Sequence, residues 1–360
     1  MDDSKIVLIT GVSQFWGSEI AKALIARDKF HVIGYDSTKP ETEIDGLDFI
    51  QADIRNPLIV DLLKSEQVDT VCHLAFEESL RPNEASFDLN VMGTIKLFGA
   101  CAEAGVRKIV FLSSTMVYGA HPDNPGFLLE DSPLRGDRKY GYNRDLVEIE
   151  SFCNGFMRQF PQVILTILRF PGIIGPNADT PLTRFLTNPK APILLGFDPM
   201  LQVIHEKDVI SAITHVVTED HPGVYNVAAE GIHPLLRMMR IAGKLPVPVF
   251  HLFAYWGINA FSNSIQKHWP IEPDYLRYRW VADVERMRTD LNWLPAYTAE
   301  EALREFAGIK KSGGETPTTP DLDYDMDRLR DTIERRQRER DMAAASQAVP
   351  AKAARGKKHD

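Results

Sequence analysis

Lys5-Ile6-Val7-Leu8-Ile9-Thr10-Gly11-Val12-Ser13-Gln14-Phe15-Trp16-Gly17 opens as an apolar, β-branched run, ends in a glycine-bearing loop and leads directly into a helical pattern. Strand, loop and helix in that order gather free N–H groups and the positive end of a helix dipole at one place, where a phosphate can sit. Gly11 allows the tight turn and Gly17 allows the helix to pack closely on the strand. Gln14 stands at the middle glycine of this kind of loop, where backbone passes close to a pyrophosphate. Its side chain either weakens phosphate binding or donates a hydrogen bond to it. Phe15 and Trp16 complete the loop as further candidate contacts.

Outward from this stretch the same rhythm repeats. Residues His31 to Tyr35, Thr70 to Leu74, Lys108 to Leu112 and Val163 to Leu168 read as strands. Between them, Ser18 to Arg27, Leu58 to Ser65, Phe87 to Ala104 and Arg144 to Phe160 read as helices. The alternation predicts an α/β protein with a doubly wound parallel sheet covered on both faces. Asp36 follows the second strand, nineteen residues after Gly17, where a carboxylate accepts hydrogen bonds from an adenosine ribose and repels a 2′-phosphate. Together these residues point to a Rossmann-type site for NAD, with NADP disfavoured. Asp53, after the third strand, is placed to hold the adenine amine.

The chain has 360 residues, 44% hydrophobic and 25% charged, with a formal net charge of -9. That balance gives no general attraction to nucleic acid or anionic lipid. Met1-Asp2-Asp3 enters the first strand without the basic segment and long apolar run of a secretory signal, so a cytoplasmic location is expected. Cys72, Cys101 and Cys153 are widely spaced, without a C-x-x-C pair, and read as buried thiols. No metal site is expected. After Gly175 the rhythm loosens among prolines and returns briefly at Val224 to Ala228. The expected division is a dinucleotide-binding domain over 1–175, with some later segments returning to it, and a smaller substrate lobe over 176–310. A charged tail over 311–360, helical or disordered, completes it. Pro246 to Phe261 is apolar and aromatic but too short to span a bilayer. It reads as a core or pocket-lining helix, with a membrane-surface helix as the alternative.

These residues resemble the extended branch of the short-chain dehydrogenase/reductase superfamily, the NAD-dependent epimerase/dehydratase family, over roughly residues 5 to 310. The marks are Thr10-Gly11 to Gly17, Asp36, Asp53-Ile54, His73-Leu74-Ala75, Asn90 with Gly93-Thr94, and Ser113 to Gly119. Pro171 in Arg169-Phe170-Pro171-Gly172, Gly175-Pro176, His205 to Asp208, Val281 to Asp283 and Leu291 to Pro295 continue the series. The resemblance implies that Ile54, Leu74, Ala75, Asn90 and Pro171 join the cofactor contacts. It also implies a homodimer joined through the helices Phe87 to Ala104 and Arg144 to Phe160, where Glu148 and Glu150 flank Ile149.

In this family a Ser or Thr holds the substrate oxygen, and a Tyr-x-x-x-Lys pair supplies a proton and a cation. Ser114 matches the first role, Tyr140 the second and Arg144 the cation's place, with Tyr142 as a fallback donor. The chain is an atypical member. Arginine keeps the charge but reaches differently from lysine. Gly172 stands where the family's sugar-nucleotide enzymes usually carry Asn, and Leu201 where they commonly carry an Arg for the diphosphate. Leu194, Leu195, Phe197 and Met200 add apolar surface nearby, while Arg184 remains as a possible anion contact.

The leading expectation is an NAD-dependent oxidoreductase or epimerase acting on a hydroxyl or keto carbon of a rather apolar, non-nucleotide small molecule. A dinucleotide-binding scaffold with little turnover, and a nucleotide-sugar epimerase, are the alternatives.

Overall fold

Period-two alternation along β1 (Lys5–Thr10) sends Leu8 to one face of a sheet and Val7 and Ile9 to the other. The computed structural model describes residues 5–79, 81–250 and 271–308. In it β1 is followed by α1 (Phe15–Ile25), β2 (Phe30–Asp36), β3 (Asp48–Gln51), α2 (Ile59–Ser65) and β4 (Thr70–His73). The chain continues through α3 (Glu84–Phe87), α4 (Gly93–Ala104), β5 (Lys108–Ser114), α5 (Gly141–Gln159) and β6 (Ile164–Phe170). Seven parallel strands form the sheet, in the order Gly223–Asn226, β6, β5, β4, β1, β2, β3. The order reverses between β1 and β4, which opens a crevice at their carboxyl ends.

Each face of the sheet has its own core. Leu97, Phe98, Leu146, Ile149 and Phe156 from α4 and α5 cover one side. Ile20 and Leu24 of α1 cover the other, with Val209, Ile213 and Val216 of α7 (Glu206–Thr218). A third cluster includes Leu182 and Phe185 of α6 (Pro181–Thr187), Leu194, Leu201, Leu235 and Leu303. Cys72, Cys101 and Cys153 are buried free thiols. No helix among the described residues is long and apolar enough to cross a membrane.

Two segments differ from their sequence patterns for visible reasons. The continuous helix expected from Phe87 to Ala104 is interrupted by a π-turn over Asp88–Met92. There the Asn90 side chain is held by both backbone groups of Glu77 and by Asp145, and the Thr94 hydroxyl bonds the Asn90 carbonyl. Within the apolar stretch expected as a helix, Leu245–Val249 is instead a strand parallel to Lys190–Leu194. Pro246 and Pro248 lack the N–H groups that a helix interior requires. The remainder of that stretch, after Phe250, and the tail over 311–360 lie outside the described residues.

Candidate active site

Gly11 adopts φ of +72°, and a Cβ there would lie 2.7 Å from the Ala75 amide nitrogen. A Cβ on Gly17 would meet the Gly11 carbonyl at 2.2 Å. Both glycines are therefore required by close backbone approach. Asp36, at the end of β2, accepts from the Ser13 N–H at 3.1 Å and the Thr38 N–H at 3.2 Å. It thus ties the phosphate loop to the second strand. Asp53 is held by Arg55, whose hydrogen bonds and charge keep its carboxyl below the usual range.

Gly11, Gln14, Asp36, Asp53, Ile54 and Ala75 line one cavity of about 220 Å³. A larger one, of about 380 Å³, is lined by Gln14, Trp16, Leu74 and Pro171 with Ser114 and Tyr142. Leu112, Met116, Leu146, Ile173, Leu182 and Leu201 give it an apolar wall. The two cavities share Gln14, Phe76 and Glu77. The Gln14 side chain lies 3.4 Å from the Phe76 carbonyl, across the crevice between β1 and β4. Phe15, Gly17 and Asn90 are not among the residues lining either cavity, and Asn90 instead clamps the loop after β4.

A buried chain of hydrogen bonds supports the loop from behind. The Thr94 hydroxyl gives its proton to the Asn90 carbonyl, so it accepts from His73 Nε2 at 2.8 Å. Nδ1 of His73 is then the acceptor for the Thr10 hydroxyl at 2.7 Å. This arrangement needs a neutral imidazole, and burial holds the His73 pKa down at about 3. The motif His73-Leu74-Ala75 was legible as a family mark, but the hydrogen-bond chain needs the spatial partner Thr94.

The face that α5 turns inward decides which tyrosine meets Ser114. Residues two apart sit about 200° around a helix, so Tyr140 with Arg144 and Tyr142 with Leu146 lie on different stripes. The inward stripe is Tyr142, Leu146 and Glu150. Tyr142 and Ser114 line the same cavity, and Tyr142 meets the Phe76 ring edge-on, with centroids 5.3 Å apart. Glu150 is buried against Arg169 and Ser113. Tyr140 precedes the helix as its N-cap residue, and neither it nor Arg144 is among the residues lining the cavity. The Arg144 guanidinium lies over Phe87, 4.7 Å from the ring centroid, and bonds Asp145 at 2.7 Å and the Asn83 carbonyl.

The structure therefore brings Ser114 together with the fallback donor Tyr142, and leaves Tyr140 and Arg144 on another stripe. Read from Tyr142, the cation's place four residues on holds Leu146. Burial, together with the charge of Glu78, pushes the Tyr142 phenol well above the ordinary tyrosine range, against the opposing influence of the Ser114 hydroxyl. At the cavity wall Arg184 is bound by Glu78 at 3.0 Å and Asp179 at 2.6 Å. A Cβ on Gly172 would lie 2.4 Å from the Leu182 side chain, which fills the space of a larger residue.

The model of the NAD dependent epimerase/dehydratase family matches residues 7–228. An uncharacterized protein of Mycobacterium tuberculosis is 35% identical over 314 residues, covering 84% of this chain and 83% of that protein. UDP-glucose 4-epimerase 1 of Oryza sativa subsp. japonica is 28% identical over 189 residues, covering 48% and 52% of the two chains. Among solved structures, UDP-glucose 4-epimerase from Thermotoga maritima with UDP-glucose aligns with a TM-score of 0.67 at 20% identity, covering 85% of this chain and 98% of that one. The dTDP-glucose 4,6-dehydratase of Bacillus anthracis in complex with NAD gives 0.66 at 19% identity, covering 87% and 98%. At such identities these two structures establish the shared fold.

Proposed function

Because the chain belongs to the NAD-dependent epimerase/dehydratase family, we propose that it binds NAD and acts on a hydroxyl or keto carbon of an apolar, non-nucleotide small molecule. One observation carries this reading: the Ser114–Tyr142 pair lies in the wall of an apolar cavity that adjoins the glycine-loop cavity at Gln14. The residues fit the cofactor. Gly11 leaves room that a Cβ would fill, Asp36 and Asp53 suit an adenosine, and the Asp36 charge disfavours a 2′-phosphate. When bound, NAD supplies hydride donation and acceptance at carbon.

The protein's part is proton placement. Ser114 orients the substrate oxygen, and Tyr142, kept in its phenol form, gives that oxygen a proton. That transfer leaves a tyrosinate, which Leu146 in place of a cation disfavours in either direction of reaction; the resting form is the phenol, which holds the proton that reduction of a keto carbon consumes. A nucleotide sugar fits less well. Leu182 occupies the space beside Gly172, Leu201 offers no charge, and Glu77, Glu78 and Asp179 outnumber Arg184 where a diphosphate would need cations. We assign to holding the substrate those residues of 176–310 that do not return to the sheet, among them Leu182, Arg184 and Leu201 of the cavity wall.

The test is calorimetric titration with NAD and NADP, followed by NADH consumption over a panel of hydrophobic ketones. NAD binding with ketone-dependent turnover that Tyr142→Phe abolishes is the expected result; binding of neither dinucleotide defeats the proposal. Leu146 itself favours a second reading, an NAD-binding protein with little turnover. Turnover that appears only in Leu146→Lys would select that reading.

A further inference from the structure

We propose that His215, Glu219 and His221 form a binding site for a divalent metal ion of the zinc class. The site lies where α7 turns toward the strand Gly223–Asn226, at the edge of the sheet opposite the crevice. His215 Nε2 is 2.8 Å from the Leu291 carbonyl, so that nitrogen carries the hydrogen and Nδ1 keeps its lone pair. A backbone carbonyl on one ring nitrogen is how metal-ligating histidines are usually oriented. His221 Nε2 is buried and has no hydrogen-bond partner among the described residues.

Glu219 stands between them, with one carboxylate oxygen 3.7 Å from His215 Nδ1 and the other 3.6 Å from His221 Nε2. Those separations are too long for hydrogen bonds. They are close to the roughly 3.3–3.5 Å between neighbouring ligand atoms on a tetrahedral zinc ion with bonds of about 2.0–2.2 Å. The three ligand atoms all lie within 4.8 Å of one another, and the two imidazole rings stack with centroids 5.1 Å apart. Two imidazoles and one carboxylate suit zinc over magnesium or calcium, which prefer all-oxygen sets. The neighbouring Asp220 is already engaged by Lys108 and Arg107.

The ion's role there is structural. The Glu219 carbonyl accepts from the buried Lys108 ammonium at the start of β5, and the His221 carbonyl accepts from Thr166 in β6. A metal on this turn fastens the end of α7 to two strands. The cysteine spacing, which gave no metal site, carries no information about this cluster. Its histidines are six residues apart and are brought together by a turn.

Tag-free, chelator-stripped full-length protein is titrated with zinc chloride by calorimetry and melted with zinc or magnesium. Expected are one zinc per chain and a rise in melting temperature of roughly 5 °C at zinc a hundredfold above its dissociation constant, with magnesium without effect. Glu219→Gln, an exposed change, and His221→Ala each weaken zinc binding at least about tenfold, while NAD affinity stays unchanged. Absence of stoichiometric zinc binding, or undiminished binding in either variant, overturns the proposal.

Discussion

The glycine-loop cavity and the apolar cavity meet at Gln14, Phe76 and Glu77 but are made of different material. The first is built from backbone at a tight turn and from carboxylates at strand ends, each set by a few consecutive residues. The second is built from side chains of distant segments, and its chemistry depends on which face α5 presents. The contrast explains how this chain keeps the family's dinucleotide features while a different tyrosine from the Tyr140–Arg144 pair lines the cavity with Ser114. A turn glycine is irreplaceable where backbone must touch backbone, whereas rotating a helix by two residues exchanges Tyr140 and Arg144 for Tyr142 and Leu146.

The strongest way to break this comparison is to remove one hydroxyl at a time. Tyr142→Phe is expected to lower ketone-dependent NADH oxidation by about 10²- to 10⁴-fold, and Tyr140→Phe to leave it nearly unchanged. The reverse result would return the donor's role to the other stripe. Since burial and the Glu78 charge raise the Tyr142 phenol, the reductive rate should show no descending limb from this group below about pH 10.

Stability separates the stripes next. Glu150→Ala leaves Arg169 buried and unpaired and should cost about 3–5 kcal/mol in urea unfolding. Glu148→Ala, which removes an exposed pair with Arg138, should cost no more than about 1 kcal/mol. Equal effects would mean that α5 does not turn its Glu150 face inward.

The scaffold behind the glycine loop should respond to acid. His73 has a folded pKa of about 3 against 6.5 for the free side chain, so the unfolded chain binds the proton more readily. Its contribution is complete above pH 6.5 and is lost as pH falls from there toward 3, on the order of a few kcal/mol. Thermal melts of wild type and His73→Gln across that window should converge at low pH; parallel curves would remove His73 from the account. The smallest effect is expected at the ribose. Asp36→Ala should weaken NAD binding about 10- to 100-fold and narrow the preference over NADP, from the loss of charged hydrogen bonds of about 1.5–3 kcal/mol. Unchanged affinity would place the adenosine elsewhere.

Local sequence determined the sheet and the dinucleotide cavity. The apolar run before Gly11, the Asp36 at the end of β2 and the strand pattern of β4 to β6 each act through neighbours in the chain, so they could be read directly. Local sequence also presented α5 as two equally spaced pairs, Tyr140 with Arg144 and Tyr142 with Leu146, and spacing alone cannot choose between them. Tertiary structure made that choice. Leu146 and Ile149 gain more from burial than Arg144 does, Glu150 finds Arg169 on β6, and Gly141 fits against the Ser79 and Arg81 carbonyls where a Cβ would come within 2.8 Å of each. Those partners are 19 to 62 residues away in the chain, and only the closed fold brings them to the helix.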